Sequence, residues 1–193
     1  MQLSKQFFET TLDQQRILEM VETGDWSERC FDSMIDHWAR ERGDLIAVTD
    51  RYGATSWSDL ATQVDEASRG LLELGVRPGV VVQVQLPNWH QFLVAVAAVE
   101  RIGGVINRLA PIYRTNEVLV MSEWARPAVV ITATEFRGFE LGLMHTELRE
   151  RCPWVEEIVT VGERPTVDAL TWQDLLEQGR FSSYDRAAVN LLR

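Results

Sequence analysis

Three histidines and two cysteines are the residue types best suited to chemistry in this chain, and their spacing withholds it. His37, His90 and His145 have no ligand-spaced partners, so no zinc or di-metal site is written and no residue is assigned to a metal. Cys30 and Cys152 stand alone, outside any CxxC or Cys/His cluster. No G-x-S-x-G elbow supplies a serine nucleophile. The paired carboxylates Glu156-Glu157 carry no specific signal. Neither G-x-G-x-x-G nor G-x-x-x-x-G-K-[ST] occurs, so neither common phosphate loop is present. Gly103-Gly104 follows a helical run, at the dipole end that repels anions. Side-chain chemistry alone therefore names no catalytic residue.

Composition narrows the class. At 193 residues the chain can form one large or two small domains and bury about 70% of its unfolded surface. A net charge of −10 argues against a nucleic-acid footprint, which needs a basic face. It leaves room for a nucleotide, which needs only local amides and one or two cations. Isolated cysteines favour a reducing compartment, and hence the cytoplasm. The N-terminus lacks the pattern of a signal peptide, and the longest apolar run, Phe92–Val99, is too short for a membrane span.

The stretch Val80–Asn107 organises the rest. Val80, Val82, Val84 and Leu86 alternate as in a strand, Pro87-Asn88 turns, and a helical run from Trp89 to Ile102 stops at Gly103-Gly104. A β-branched run starts at Val105. Strand, helix, strand at this length fits a parallel crossover. Upstream, residues 1–40 read as a polar helical segment with anchors at Phe7, Phe8, Ile17, Leu18 and Met20, broken at Gly24-Asp25. Phe31, Met34, Ile35 and Trp38 recur at helical spacing, and His37 and Trp38 read as part of that helix face. Leu45–Thr49 and Ala54–Trp57 read as a hairpin, and Ser58 as the cap of a helix with Leu60, Val64, Ala67, Leu71 and Leu74 on one stripe, stopped at Gly75. Downstream the expectations are a helix capped by Thr115, a strand Ala128–Thr132, a helix Phe136–Glu150 and a strand Val155–Val161. A capping box at Thr171–Asp174 then opens a helix, and Ala187–Leu192 reads as one more strand. Alternation of this kind predicts an α/β fold with a largely parallel sheet flanked by helices. The expected division is a helical segment, 1–40, and an α/β lobe, 41–193.

Several of these pieces, in order, resemble the N-terminal lobe of adenylate-forming acyl-CoA synthetases, the AMP-binding enzymes. Ala54–Leu60 is similar to that family's LTYxEL segment, and Leu71–Gly79 to LxxLGVxPGD, with Val80 for the acidic residue. Leu86-Pro87-Asn88 is similar to LPN, and Arg101–Asn107 to KxGAVxNP. Glu117-Val118 and Val129–Thr132 resemble the later EL and VVIT segments. Pro87-Asn88-Trp89, Pro111–Arg114 and Phe136–Phe139 further resemble the cyclohexanecarboxylate-CoA ligase group. Arg108 departs from the family's proline, which would fix φ there.

The resemblance implies a ligase that activates a carboxylic acid with ATP and magnesium, then passes the acyl group to coenzyme A. Within it, Trp89 and Phe92 read as packing the helix against the sheet, with Trp89 the candidate wall of the acyl pocket, and Arg101 and Arg108 read as surface cations, with the coenzyme A phosphates as the alternative. It also implies a serine-, threonine- and glycine-rich phosphate loop beyond Arg193, so the lobe alone is expected to lack the catalytic motifs, to be inactive and to hold no cofactor. The other readings of the same residues are a non-enzymatic binding module, or a remnant of an interrupted gene. An incomplete sheet presents an unpaired edge open to self-association; a functional module is expected to hide it or form a defined dimer, and a remnant to aggregate or be degraded.

Overall fold

The computed structural model describes residues 13–26, 30–185 and 189. Helices α1 (Gln14–Glu22) and α2 (Phe31–Arg42) precede a hairpin, β1 (Ile46–Asp50) and β2 (Gly53–Ser56). Then come α3 (Trp57–Glu73), β3 (Val81–Gln85), α4 (His90–Arg101), β4 (Val105–Arg108) and α5 (Thr115–Ala125). The chain continues through β5 (Val129–Ala133), α6 (Leu141–Arg149), β6 (Glu157–Val161), β7 (Leu170–Thr171) and α7 (Trp172–Arg180). Strands β3 to β7 form one parallel sheet in the order β4-β3-β5-β6-β7. The α/β expectation holds.

Every residue of β3 is buried, as in a sheet covered on both faces. Its side chains alternate. Gln83 and Gln85 face α5 and α6, where Gln83 accepts from Ser122 (3.1 Å) and Asn107 (3.0 Å), and Gln85 meets His145 at 2.8 Å. Val82 and Val84 therefore face the other helical layer, in which α2, α3, α4 and α7 pack on one another. Two glycines let that layer close up. A side chain at Gly179 would collide with the Glu66 carbonyl on α3, and one at Gly70 with the Leu175 carbonyl on α7.

A single buried cation joins three helices of this layer. Arg101, at the end of α4, is fully inaccessible. Its Nε lies 3.2 Å from Asp32 and its Nη2 2.8 Å from Asp36, both on α2, and Nη1 lies 3.9 Å from Asp65 on α3. Desolvating an arginine is tolerable only with such partners. The pair Asp32 and Asp36, one helical turn apart, presents both carboxylates on one side of α2.

Several boundaries differ from the sequence expectation. Ser56, not Ser58, caps α3, its hydroxyl accepting from the Asp59 amide (3.1 Å). Thr115 is the first residue of α5 and not its cap; Glu117 instead reaches back to the Arg114 amide (3.2 Å). Helix α6 begins at Leu141 rather than Phe136, because Phe136–Phe139 closes on itself as a tight turn. Arg137 and Gly138 take φ of 53° and 76° there, which no helix permits. The capping box at Thr171 and Asp174 is present, as is the stop at Gly75 (φ 88°). Helix α2 crosses the expected division at residue 40 and packs on α3 and α4. The anchors Phe7 and Phe8 lie outside the described residues, as does the strand expected at 187–192, apart from Val189. That residue is helical, its amide bonded to the Asp185 carbonyl (3.1 Å).

Two substitutions test this packing. Gly179→Ala should lower unfolding free energy in urea by roughly 1–3 kcal/mol, as overpacked contacts do. Arg101→Ala should cost about 3–5 kcal/mol, because it leaves buried carboxylates without their cation. A loss below half a kcal/mol in either variant would contradict the close approach or the buried pairing.

Candidate functional site

Strand order reverses beside β3. The chain moves from β3 to β4 on one side, then crosses to β5 on the other. In open α/β sheets, ligands bind outside the carboxyl ends of the strands at such a point. Here a cleft of 590 Å³ opens there, bounded by the segments that leave β3, β5 and β6 and by the hairpin tip between β1 and β2.

Aromatic rings form its walls and arginines its rim. Trp89, which follows the Pro87-Asn88 turn, is 9% exposed and packs edge-on against Tyr52, with ring centres 5.2 Å apart. The Arg51 guanidinium lies over both rings, at 5.4 Å from Tyr52 and 5.5 Å from Trp89. Arg137 stacks on Phe136 at 5.2 Å. Arg164, from the loop after β6, completes the rim. Glu135, Glu140 and Glu163 also line the cleft, but the one ion pair among these six charges joins Arg51 and Glu163, at 3.9 Å and well exposed. Such a contact is weak and leaves Arg51 available. Gly162 is required where the loops after β5 and β6 approach, since a side chain there would strike Thr134.

Two buried polar links hold the cleft in place. Asp50, at the end of β1, accepts from the His90 amide (2.6 Å) and meets His90 Nδ1 at 2.9 Å. It thereby caps α4 from another element and fixes the hairpin beside Trp89. Burial raises the Asp50 pKa, but the bonds from His90 and Tyr52 outweigh it, and the carboxyl titrates below its ordinary value. On the other side, Gln85 Nε2 donates to the Ala110 (3.0 Å) and Tyr113 (3.1 Å) carbonyls. With its amide nitrogen so used, its Oε1 accepts from His145 Nε2, which must therefore carry the proton. The tethered loop ends in Arg114, whose guanidinium sits 4.2 Å over Phe139 in the turn that carries Arg137.

The expected site residues divide. Trp89 lies at the cleft, where it both packs the start of α4 and forms a wall. Arg101 lies elsewhere: it is fully buried and paired with Asp32 and Asp36, away from the cleft. Arg108 is exposed at the edge strand, on a separate groove with Phe92 and Glu100. The cleft does not bring Arg101 or Arg108 together with Trp89. The cations that do gather there, Arg51, Arg137 and Arg164, sit on three loops distant in sequence and share no motif. Only the Phe136–Phe139 segment had drawn notice in the sequence. Among the described residues no three His, Cys, Asp or Glu side chains are grouped to hold a metal ion, and no helix is long and apolar enough to cross a membrane.

A model of the AMP-binding enzyme family matches residues 35–187. The chain belongs to that family. It is 30% identical over 151 residues to 2,3-dihydroxybenzoate-AMP ligase of Bacillus subtilis, covering 75% of this chain and 28% of that protein. It is also 30% identical over 145 residues to the salicyl-AMP ligase / salicyl-S-ArCP synthetase of Mycobacterium tuberculosis, covering 72% and 26%. The apo structure of Mycobacterium smegmatis MbtA superposes with a TM-score of 0.77 at 28% identity, over 86% of this chain and 30% of that one. The chain thus spans under a third of the length of these AMP-binding relatives. The α/β lobe is the N-terminal domain of the acyl-CoA synthetase-like fold.

The His145 link has a measurable pH signature. Burial pushes this imidazole from 6.5 down to about 4, so it stays neutral in the fold. The unfolded chain takes up a proton below pH 6.5 that the folded chain refuses. Stability is therefore complete above pH 6.5 and falls as pH drops toward 4, by roughly 3 kcal/mol in all. Urea titrations across this window should show that loss in the parent chain and not in His145→Gln. Parallel pH profiles for the two proteins would contradict it.

Proposed function

We propose that this chain is the N-terminal part of an ATP-dependent acid ligase. The complete enzyme joins a carboxylate to ATP, releasing diphosphate and forming an acyl-adenylate. It then transfers the acyl group to the thiol of coenzyme A and releases AMP. Family membership across residues 35–187 is the observation that carries this reading. We favour a ring-bearing acid. The two relatives named for 2,3-dihydroxybenzoate and salicyl acids support it, as does the likeness of Pro87–Trp89, Pro111–Arg114 and Phe136–Phe139 to cyclohexanecarboxylate-CoA ligases.

The cleft at the carboxyl edge gives these residues a role within that reaction. Arg137 and Arg164 have no ion pair among the described residues, and guanidinium groups suit phosphate oxygens. In the complete enzyme they would add contacts to phosphates of ATP or coenzyme A that the phosphate loop holds, too few to bind them alone, while Trp89 and Tyr52 wall off water. The sequence holds neither common glycine-rich phosphate loop, and among the described residues no carboxylates are grouped to hold magnesium; in this reading the rest of the enzyme supplies both. A cytoplasmic setting is in keeping with the two free cysteines, Cys30 and Cys152.

Two experiments test this. The natural polypeptide that contains this sequence should form AMP and diphosphate from ATP only when a carboxylic acid is added, with ring acids ahead of straight medium-chain acids. Residues 1–193 alone should show no rise in melting temperature with ATP and magnesium, since a ligand stabilises only what it binds. Acid-independent ATP cleavage, or a dose-dependent rise in the isolated lobe, would overturn the respective claim.

A further inference from the structure

Strand β4 is the end of the sheet, and its outer edge pairs with no strand among the described residues. Its four residues, Val105–Arg108, leave backbone donors and acceptors facing outward. The flanks of this edge are apolar on both faces. On the α5 side, Val120 (54% exposed), Met121 and Trp124 (80% exposed) rise beside Val105 and Asn107 around a groove of 440 Å³. On the α4 side, Phe92, Leu93 and Val96 line a second groove of 610 Å³, with Glu100 and Arg108 in its walls. An open edge between two apolar grooves is a template for an added strand.

We propose that a second copy of this chain fills this edge, its β4 running antiparallel to the first across a twofold axis. Charge placement favours a copy over an unrelated strand. Arg108 stands at the carboxyl end of β4 with no ion-pair partner among the described residues. Glu100 stands beside the opposite end, where Gly103 and Gly104 lead into the strand; its Oε2 accepts from the Asp32 amide (3.2 Å), and its Oε1 is left for an incoming cation. Glu100 and Arg108 line the same groove and form no ion pair with each other. Antiparallel pairing brings each Arg108 over the start of the other β4, beside the other Glu100. Both ion pairs form at once, and the two arginines stay at opposite ends. The same rotation sets Trp124 of each copy against the α5 flank of its mate. An isologous contact of this kind closes on itself and does not propagate.

Light scattering and sedimentation equilibrium on the natural polypeptide that contains this sequence decide the matter, independently of any catalytic activity. The expected species has twice the mass of that polypeptide and dissociates on dilution. Trp124→Glu, at a surface position that leaves folding intact, should yield monomers with an unchanged circular dichroism spectrum. Arg108→Glu should also yield monomers, and Arg108→Glu combined with Glu100→Lys should restore the dimer by reversing both pairs. A monomer at every concentration would overturn the proposal. So would a dimer indifferent to Trp124→Glu and Arg108→Glu, larger concentration-dependent aggregates, or no recovery in the charge-reversed double variant.

Discussion

The lobe depends on one strand that is dry on both faces. Burying all of β3 takes its two glutamines out of water, where an unpaired amide group costs about 1–3 kcal/mol; both side-chain oxygens find partners inside the protein, while Gln83 Nε2 has none among the described residues. Each solution fixes something larger. Gln83 gathers Asn107 of the neighbouring strand and Ser122 of α5. Gln85 gathers the loop after β4 and His145 of α6. The strand thus holds its own edge neighbour, both helices on one face and the loop that ends in Arg114. Apolar residues in these places would fill the same volume without setting register or loop position.

Cations in this chain do two jobs, separated by layer. Arg101 is desolvated and compensated by α2 and α3, so it fastens helices and has no reach to a ligand. The rim arginines sit on loops at the carboxyl edge, open to water, and two of them, Arg51 and Arg137, stack on aromatic rings. That stacking orders those two guanidinium groups while leaving their hydrogen-bond donors free. Sheet topology explains the site. Reversal of strand order beside β3 parts the loops that follow β3 and β5, and the gap needs walls that do not collapse. Tyr52 against Trp89, and Arg114 on Phe139, supply them.

Much of the fold was legible because local signals and tertiary demands agree. The glycine after α3, the run of β3 and the box at Thr171–Asp174 each act within a few residues, and their structures follow. Failures occur where a distant partner decides. Phe136–Phe139 carries helix-compatible residues on each side, yet the turn is held by Arg114 and by the Glu135 contact to the Gly138 amide (3.2 Å). Strand β7 is two residues long and exists only because β6 offers an edge. Arg101 ends a helical run as a surface cation would, and its burial depends on aspartates more than thirty residues away. The cleft was the least legible part. Its arginines come from three loops, and only the folded sheet brings them to one rim. Trp89, set by the Pro87-Asn88 turn next to the reversal, was the one site residue whose position sequence reasoning could reach.

Steady-state kinetics on the natural polypeptide, comparing Arg137→Ala with Arg108→Ala, would test most directly whether this cleft serves the ligase reaction. The account predicts that KM for ATP or for coenzyme A rises roughly tenfold or more in Arg137→Ala, the loss of one charge-assisted contact, and stays unchanged in Arg108→Ala. An unchanged KM for both co-substrates in Arg137→Ala would contradict the cleft as their binding wall. A matching rise in Arg108→Ala would move the phosphate contact to the edge of the sheet.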